Sequence, residues 1–172
     1  MRKVESISFP RSGHALTTKL LQAYFGPAFR YEAERPDGSI PNDFDFLKRH
    51  DFDLNTPILS DRWYLVQVRD VYDAMWSWQQ LTAKLDNLPD TPELFRKIFR
   101  DKIGYWKGFM EKWVLSDIPN RVKIRYRDIV RKPEAALREI LSAFGESPDP
   151  AKVKRALAAV KIELRTMPEF YL

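Results

Sequence analysis

Short runs of β-branched and aromatic residues alternate with longer amphipathic segments along the whole chain, and this alternation constrains the fold more than any other feature. Strand-like runs occupy residues 4–9, 64–69 and 122–126, and segments with apolar residues at helical spacing follow each of them. Because parallel strands are joined by helical crossovers, this order predicts an α/β fold with three layers, in which a central, mostly parallel sheet is flanked by helices.

Proline, glycine and acidic residues mark where the helices begin and end. Residues 30–56 are rich in Asp, Pro and Asn, which predicts an irregular excursion between the first helix and the second strand. The predicted helices cover residues 16–25, the segment from an N-cap at Asp73 to about Leu85, residues 92–114, the segment from Pro133 to just before Gly145, and a last segment from Pro150.

The composition is that of a single globular domain spanning residues 1–172, with 44% hydrophobic and 31% charged residues. No apolar run is long enough to span a membrane, and no signal-like segment opens the chain. The lack of cysteine excludes disulfide and thiolate chemistry, so we expect a cytoplasmic protein. A net charge of +5 favours an anionic partner, although the basic residues form no tail of the kind that binds nucleic acid.

The stretch SFPRSGHALT, residues 8–17, joins the first strand to the first helix. A helix N-terminus offers free N–H groups and a partial positive charge, Gly13 permits close backbone approach, and Arg11 can bind two anion oxygens. The GxxxxGK[ST] pattern of a nucleotide triphosphate loop is absent. A phosphate-like ligand and a plain helix-capping turn are both compatible with this segment.

Two further segments carry candidate site residues. VRDVYDAMWS places Arg69 at the end of a strand and Ser77 in the next helix, where both could bind one anion; a strand-end ion pair with a nearby aspartate is the alternative. KRH places His50 two residues after Lys48 in a polar stretch. A histidine can accept a hydroxyl proton near neutral pH and a lysine can stabilise transferring charge, but a charged surface loop would look the same.

In their order and spacing these segments resemble one family, the sulfotransferases that use 3′-phosphoadenosine 5′-phosphosulfate (PAPS). SFPRSGHALTTKLL resembles their 5′-phosphosulfate loop, VRDVYDAMWSW their 3′-phosphate motif, and KRH their catalytic-base segment. Residues 104–145 resemble the family's Trp-rich helix, strand end and following helix. The resemblance implies a P-loop-like fold and a transfer of the sulfuryl group to an acceptor hydroxyl or amine, with adenosine 3′,5′-bisphosphate (PAP) as the other product.

The resemblance also implies a role for each matching residue. His50 would be the base, with Lys48 beside the sulfuryl group and Arg11 at the leaving oxygen. The implied donor-binding residues are Arg11, Ser12, Gly13, His14, Ala15, Arg69, Ser77 and Tyr126. No metal is implied, because no cluster of metal ligands is evident in the sequence. The acceptor would be a small molecule, glycan or lipid, with no nucleic-acid partner, and no oligomeric state is predicted.

The chain departs from the family's pattern in two places. The familiar Thr-Thr-Trp is His14, Ala15 and Leu16, so the indole that stacks on adenine is missing, and Phe9 is one candidate to replace it. His14 is itself a candidate phosphosulfate ligand and a second candidate base. The C-terminal Arg-Lys-Gly clamp has no counterpart in IELRTMPEFYL, where Arg165 is a speculative substitute.

Two other functional classes are compatible with the composition. A P-loop kinase of small metabolites would share the loop-helix unit, although the Walker lysine is absent. A catalytically degenerate basic adaptor or nucleic-acid-binding domain would use the net charge and, if they are exposed, Trp63, Trp76 and Trp78. Binding of PAP, of ATP with Mg²⁺, or of nucleic acid separates the three.

Overall fold

The computed structural model of the protein describes residues 1–35, 38–163 and 165–168. Within these ranges the chain forms a five-stranded sheet in the order β2-β3-β1-β4-β5, and all four strand pairs are parallel. The strands are β1 (Val4–Ser8), β2 (Tyr31–Ala33), β3 (Phe46–Arg49), β4 (Trp63–Val68) and β5 (Arg121–Arg125).

Helices cover both faces of the sheet and bury a separate apolar core on each. One core joins Val4, Leu65 and Ile124 to the first helix and the last two, and the other joins Ile7, Tyr64 and Val66 to the second and third helices. Successive residues of a strand point to opposite faces, so both faces of each central strand must be apolar. The helices are α1 (His14–Phe25), α2 (Val71–Leu85), α3 (Pro92–Phe109), α4 (Tyr126–Arg131), α5 (Pro133–Ala143) and α6 (Pro150–Ala159).

The predicted three-layer α/β fold is confirmed, but the prediction for residues 30–56 is wrong. That segment contains β2 and β3, and β3 pairs directly with β1. The strands were missed because they are only three and four residues long and lie among turn-forming residues. Their pairing with the sheet, rather than their local composition, makes them strands.

Two predicted helices also differ from the prediction, and one further helix is present. Helix α2 begins earlier, because Asp70 and not Asp73 is its N-cap and accepts bonds from the N–H groups of Tyr72 and Asp73. The third helix changes at Phe109 into a π-helical turn, Met110–Leu115. The short helix α4, which was not predicted, opens directly at the end of β5.

Candidate active site

The turn between β1 and α1 lies at the carboxyl end of the central strand, where parallel α/β sheets bind ligands. Arg11 and Gly13 both have positive φ angles, 68° and 92°, and the N–H of Ser12 donates to the carbonyl of Phe9. His14 and Ala15 open the helix, so their N–H groups have no intrahelical acceptor. The turn therefore directs backbone donors and a helix N-terminus towards one point.

Tyr126 closes one side of this turn. A Cβ atom on Gly13 would lie 2.6 Å from Cδ2 of Tyr126, so only glycine fits between the helix start and the ring. The guanidinium of Arg69 lies over the other part of the same ring, 4.3 Å from its centroid. Residues 13, 69 and 126, which come from three different elements, thus meet in one place.

The two predicted anion-binding arginines are brought together with Ser77. Arg11 Nε donates to Ser77 Oγ at 3.0 Å, and Arg69 Nη1 donates to the carbonyl oxygen of Arg11 at 3.2 Å. Desolvation of the partly buried guanidinium groups lowers the pKa of both arginines. Such a pair of desolvated cations is the arrangement that a multiply charged anion would stabilise.

His14 ends a buried chain of hydrogen bonds beneath the turn. Thr17 Oγ1 donates to Gln67 Oε1 at 3.0 Å, and Gln67 Nε2 donates to Ser6 Oγ at 2.9 Å. The proton of Ser6 is then left to donate to His14 Nδ1, 3.2 Å away. His14 therefore carries its own proton on Nε2 and is neutral, since burial lowers its pKa to about 3. A base with so low a pKa is poorly suited to the proton transfer.

His50 has the opposite tautomer. Its Nδ1 lies 2.7 Å from the carbonyl oxygen of Ser8, the last residue of β1, and a carbonyl can only accept. Nδ1 therefore carries the proton and Nε2 keeps the lone pair. Burial lowers the pKa of His50, and the bond to Ser8 opposes that shift. The imidazole is thus neutral at pH 7 and has a basic nitrogen.

Lys48 and His50 line the same cavity of about 580 Å³. Lys48 lies on β3 directly opposite Ser6 of β1, which places the β3 segment next to the strand that leads into the turn. The candidate base and the candidate anion site therefore follow the carboxyl ends of two neighbouring strands, at the same end of the sheet.

The loop after His50 is held by residues that the sequence analysis missed. The buried carboxylate of Asp51 accepts from the N–H of Thr56 at 2.8 Å and, at 2.7 Å each, from Lys112 Nζ and Trp113 Nε1. Tyr105 also donates its hydroxyl proton to the carbonyl of His50. No sequence pattern connects residue 51 with residues 112 and 113, so this contact has no local signal in the sequence.

Two proposed substitutes for family features do not lie where they were expected. Phe9 is fully buried against Tyr105, Phe109 and Trp78, so it is unavailable to stack on a base. The guanidinium of Arg165 is mostly exposed, and it is the carbonyl of this residue that accepts from Arg69 Nη2.

The C-terminal segment nevertheless covers the anion site. Tyr126 donates its hydroxyl proton to the carbonyl of Glu163 at 3.0 Å, and the N–H of Met167 donates to Asp73 at 2.7 Å. Leu164 and residues 169–172 of the C-terminal stretch IELRTMPEFYL lie outside the described residues. Asp73 therefore anchors this segment instead of capping α2.

The remaining sequence expectations concern exposed tryptophans, membrane-spanning helices and metal-binding groups. Trp63, Trp76 and Trp78 are each half-buried, and Trp63 lies under the guanidinium of Arg2, so they form no exposed stacking platform. In the described part of the chain, no helix is long and apolar enough to cross a membrane. The same residues contain no group of three His, Asp or Glu side chains placed to hold a metal ion.

Comparison with solved structures gives the fold a name. Mouse sulfotransferase SULT7A1 complexed with PAP superimposes with a TM-score of 0.64 over 92% of this chain, at 16% sequence identity. Retinol dehydratase in complex with androsterone and inactive cofactor PAP superimposes with a TM-score of 0.63 over 91% of it, at 17% identity. The chain has the sulfotransferase fold.

The similarity of this sulfotransferase-fold chain to other proteins is found in its structure and not in its sequence. No protein-family model matches it, and no curated protein matches it. The chain spans 64% of the length of each of the two solved structures.

Proposed function

We propose that the protein is a sulfotransferase that moves a sulfuryl group from PAPS to an acceptor hydroxyl. The observation that carries the proposal is the meeting of Arg11, Arg69 and Ser77 at a P-loop-like turn, beside a neutral histidine with a free basic nitrogen. The structural similarity to two sulfotransferase-fold proteins with bound PAP supports it.

The residues of the turn fit an anionic nucleotide. Ser12 Oγ, His14 Nε2 and Arg69 Nε are buried donors that find no hydrogen-bond partner within residues 1–35, 38–163 and 165–168. Buried donors are rarely left unpaired, so their clustering at one turn points to an anion with several acceptor oxygens. The absence of a side chain at Gly13 lets the ring of Tyr126 pack against the turn, next to the proposed ligand.

Each residue then has a definite task. The N–H groups of His14 and Ala15, with Ser12 and Arg11, would hold the 5′-phosphosulfate, while Arg69 and Ser77 would hold the 3′-phosphate beside Tyr126. When bound, PAPS supplies the activated sulfuryl group. His50 Nε2 would take the proton of the acceptor hydroxyl, and the bond from Nδ1 to Ser8 holds the ring in position. Lys48 and Arg11 would stabilise the charge that develops during transfer.

Calorimetry and a His50→Ala variant test the proposal. We expect PAP to bind, and ATP with Mg²⁺ to bind much more weakly or not at all. The variant should lose about 10²- to 10⁴-fold in transfer rate, because proton abstraction is lost, and should bind PAP as the unmodified protein does. Full transfer activity in the variant would remove His50 from the role of base. Binding of ATP with Mg²⁺ but not of PAP would favour a kinase.

A further inference from the structure

We propose that the acceptor is a saccharide, bound in the cavity that Lys48 and His50 line; this inference rests on the proposed sulfotransferase function. The cavity, of about 580 Å³, has the size of a site for a small organic ligand. Its walls are more polar than those of a site for an apolar acceptor. Seven of the lining side chains are charged or carry an amide: Glu34, Arg35, Lys48, Arg49, Asp51, Asp53 and Asn55.

The charged wall is held in place by ion pairs. Arg49 bridges Glu34 at 2.7 Å and Glu5 at 3.2 Å, and its side chain is only 10% exposed. Asp51, which also lines the cavity, is fixed by an ion pair with Lys112. These groups cannot turn away from a ligand, so a bound molecule must meet donors and acceptors on several sides.

Phe52 supplies one apolar face inside this polar site. Its side chain is 57% exposed, and its ring lies 5.2 Å from the ring of His50 and 5.7 Å from that of Tyr105. An exposed aromatic ring between a base and polar walls suits a molecule with one C–H face and hydroxyl groups around its edge. A pyranose has this form: its C–H face can lie on the Phe52 ring while one hydroxyl points towards His50.

A polar wall also discriminates against other acceptors. A phenol or steroid would desolvate Asp53 and Asn55 without giving them hydrogen-bond partners, which is a large cost for charged and polar groups. Sites that are built to bond hydroxyl groups reject analogues that lack them by several orders of magnitude. The hydroxyl-rich molecule is therefore favoured over an apolar alcohol of the same size.

The experiment measures transfer of labelled sulfate from PAPS to cellobiose, lactose and chitobiose, and to 2-naphthol and androsterone, with mass analysis of the products. We expect at least one disaccharide to be sulfated with a kcat/KM at least 100-fold above those of 2-naphthol and androsterone. Phe52→Ala should raise the KM for that sugar at least tenfold and leave the Kd of PAP unchanged. Phe52→Tyr should retain most of the activity, and Leu115→Ala, at an exposed apolar residue on the π-helical turn, is the matched control.

The outcomes separate the two proposals. If PAP binds and the apolar alcohols are the better acceptors, or no disaccharide is sulfated, the saccharide inference is overturned and the sulfotransferase proposal stands. If PAP does not bind, the proposed function itself fails, and the saccharide inference fails with it. An equal KM for sugar in the Phe52→Ala and Leu115→Ala variants would contradict the role of the aromatic face.

Discussion

At the scale of single residues, Gly13 and His14 are the two positions of the turn whose surroundings constrain the side chain most. Gly13 combines a positive φ with a ring of Tyr126 against its Cα, and His14 is buried in a chain of hydrogen bonds that fixes its proton on Nε2. Both residues are parts of the proposed anion site, so changes at either position should affect folding and nucleotide binding together.

A Gly13→Ala variant should be destabilised by about 1–3 kcal/mol, because the new methyl group meets Tyr126 and the backbone conformation is unfavourable for alanine. Urea denaturation measures this loss, and calorimetry should show weaker PAP binding. Gly104→Ala is the matched control: it lies in α3, where none of the described residues comes within 4 Å of the added Cβ. That variant should gain about 0.5–1 kcal/mol. Equal effects at the two positions would contradict the close fit at Gly13.

The neutral state of His14 should make the protein less stable in acid. The pKa of His14 is about 3 in the folded protein and 6.5 as its ordinary value, so below pH 6.5 protons bind the unfolded chain in preference. The contribution of neutral His14 to the unfolding free energy is fully present above about pH 6.5, and it is lost as the pH falls towards 3. Between about pH 7.5 and 5 the loss should be roughly 2 kcal/mol, measured by urea denaturation.

A His14→Gln variant is the control for that pH dependence. Glutamine keeps a donor near the position of Nε2 but does not titrate. The difference in stability between the two pH values should therefore be about 2 kcal/mol smaller in the variant. An unchanged pH dependence would mean that His14 is not held neutral in the folded protein.

At the scale of elements, the π-helical turn Met110–Leu115 holds the loop that carries His50 and Phe52. The neighbouring residues Lys112 and Trp113 both bond Oδ2 of Asp51, and Lys112 also donates to the carbonyls of Leu54 and Thr56. A widened turn of this kind is common at functional sites. The loop and the end of α3 therefore form one structural unit beside the cavity.

Replacing Lys112 with Met should loosen that unit. The buried Asp51 carboxylate would lose its counter-charge, and the cost should be roughly 3 kcal/mol in unfolding free energy. The transfer rate should fall because His50 is less well positioned, while the Kd of PAP changes little, since the anion site is on other elements. Lys107→Met, at an exposed residue on α3, should leave both quantities unchanged. A variant of Lys112 with full activity would show that the loop does not depend on this contact.

At the scale of the whole molecule, the sheet separates two apolar cores and brings the three segments of the proposed anion site to the carboxyl ends of its strands. The turn after β1, the end of β4 with the start of α2, and the end of β5 all meet there, and the C-terminal segment crosses them. A ligand that binds all of them links both halves of the sheet. PAP should therefore stabilise the domain as a whole and not only one loop.

Thermal unfolding in the presence of PAP measures that coupling. At about 100 times its Kd, PAP should add about 2.7 kcal/mol to the unfolding free energy, with a corresponding rise in Tm. ATP with Mg²⁺ at the same concentration should give a much smaller shift, and an Arg69→Ala variant should reduce the effect of PAP. A Tm that does not change with PAP would contradict the proposed donor site.

Much of the site could be predicted from the sequence because its motifs are local. The loop at residues 8–17 and the pair of Arg69 and Ser77 each lie within one strand-turn-helix unit. In the structure Arg11, and not Arg69, bonds Ser77, and Arg69 bonds the carbonyl of Arg11. The expectations that the structure contradicts depended instead on contacts with distant parts of the chain. The N-cap at Asp73 and the role of Phe9 as a substitute for the adenine-stacking indole each depended on which of several partners the rest of the chain supplies.

The sequence by itself determined the alternation of strands and helices, and therefore a parallel three-layer fold with a candidate anion site after its first strand. These properties follow from periodicity and turn chemistry, which act over a few residues. Only the tertiary structure decided that β3 lies beside β1, so that His50 bonds Ser8, and that Asp51 meets Lys112 and Trp113. Those partners are 42 to 62 residues apart, and their contact depends on how the whole chain closes its cores.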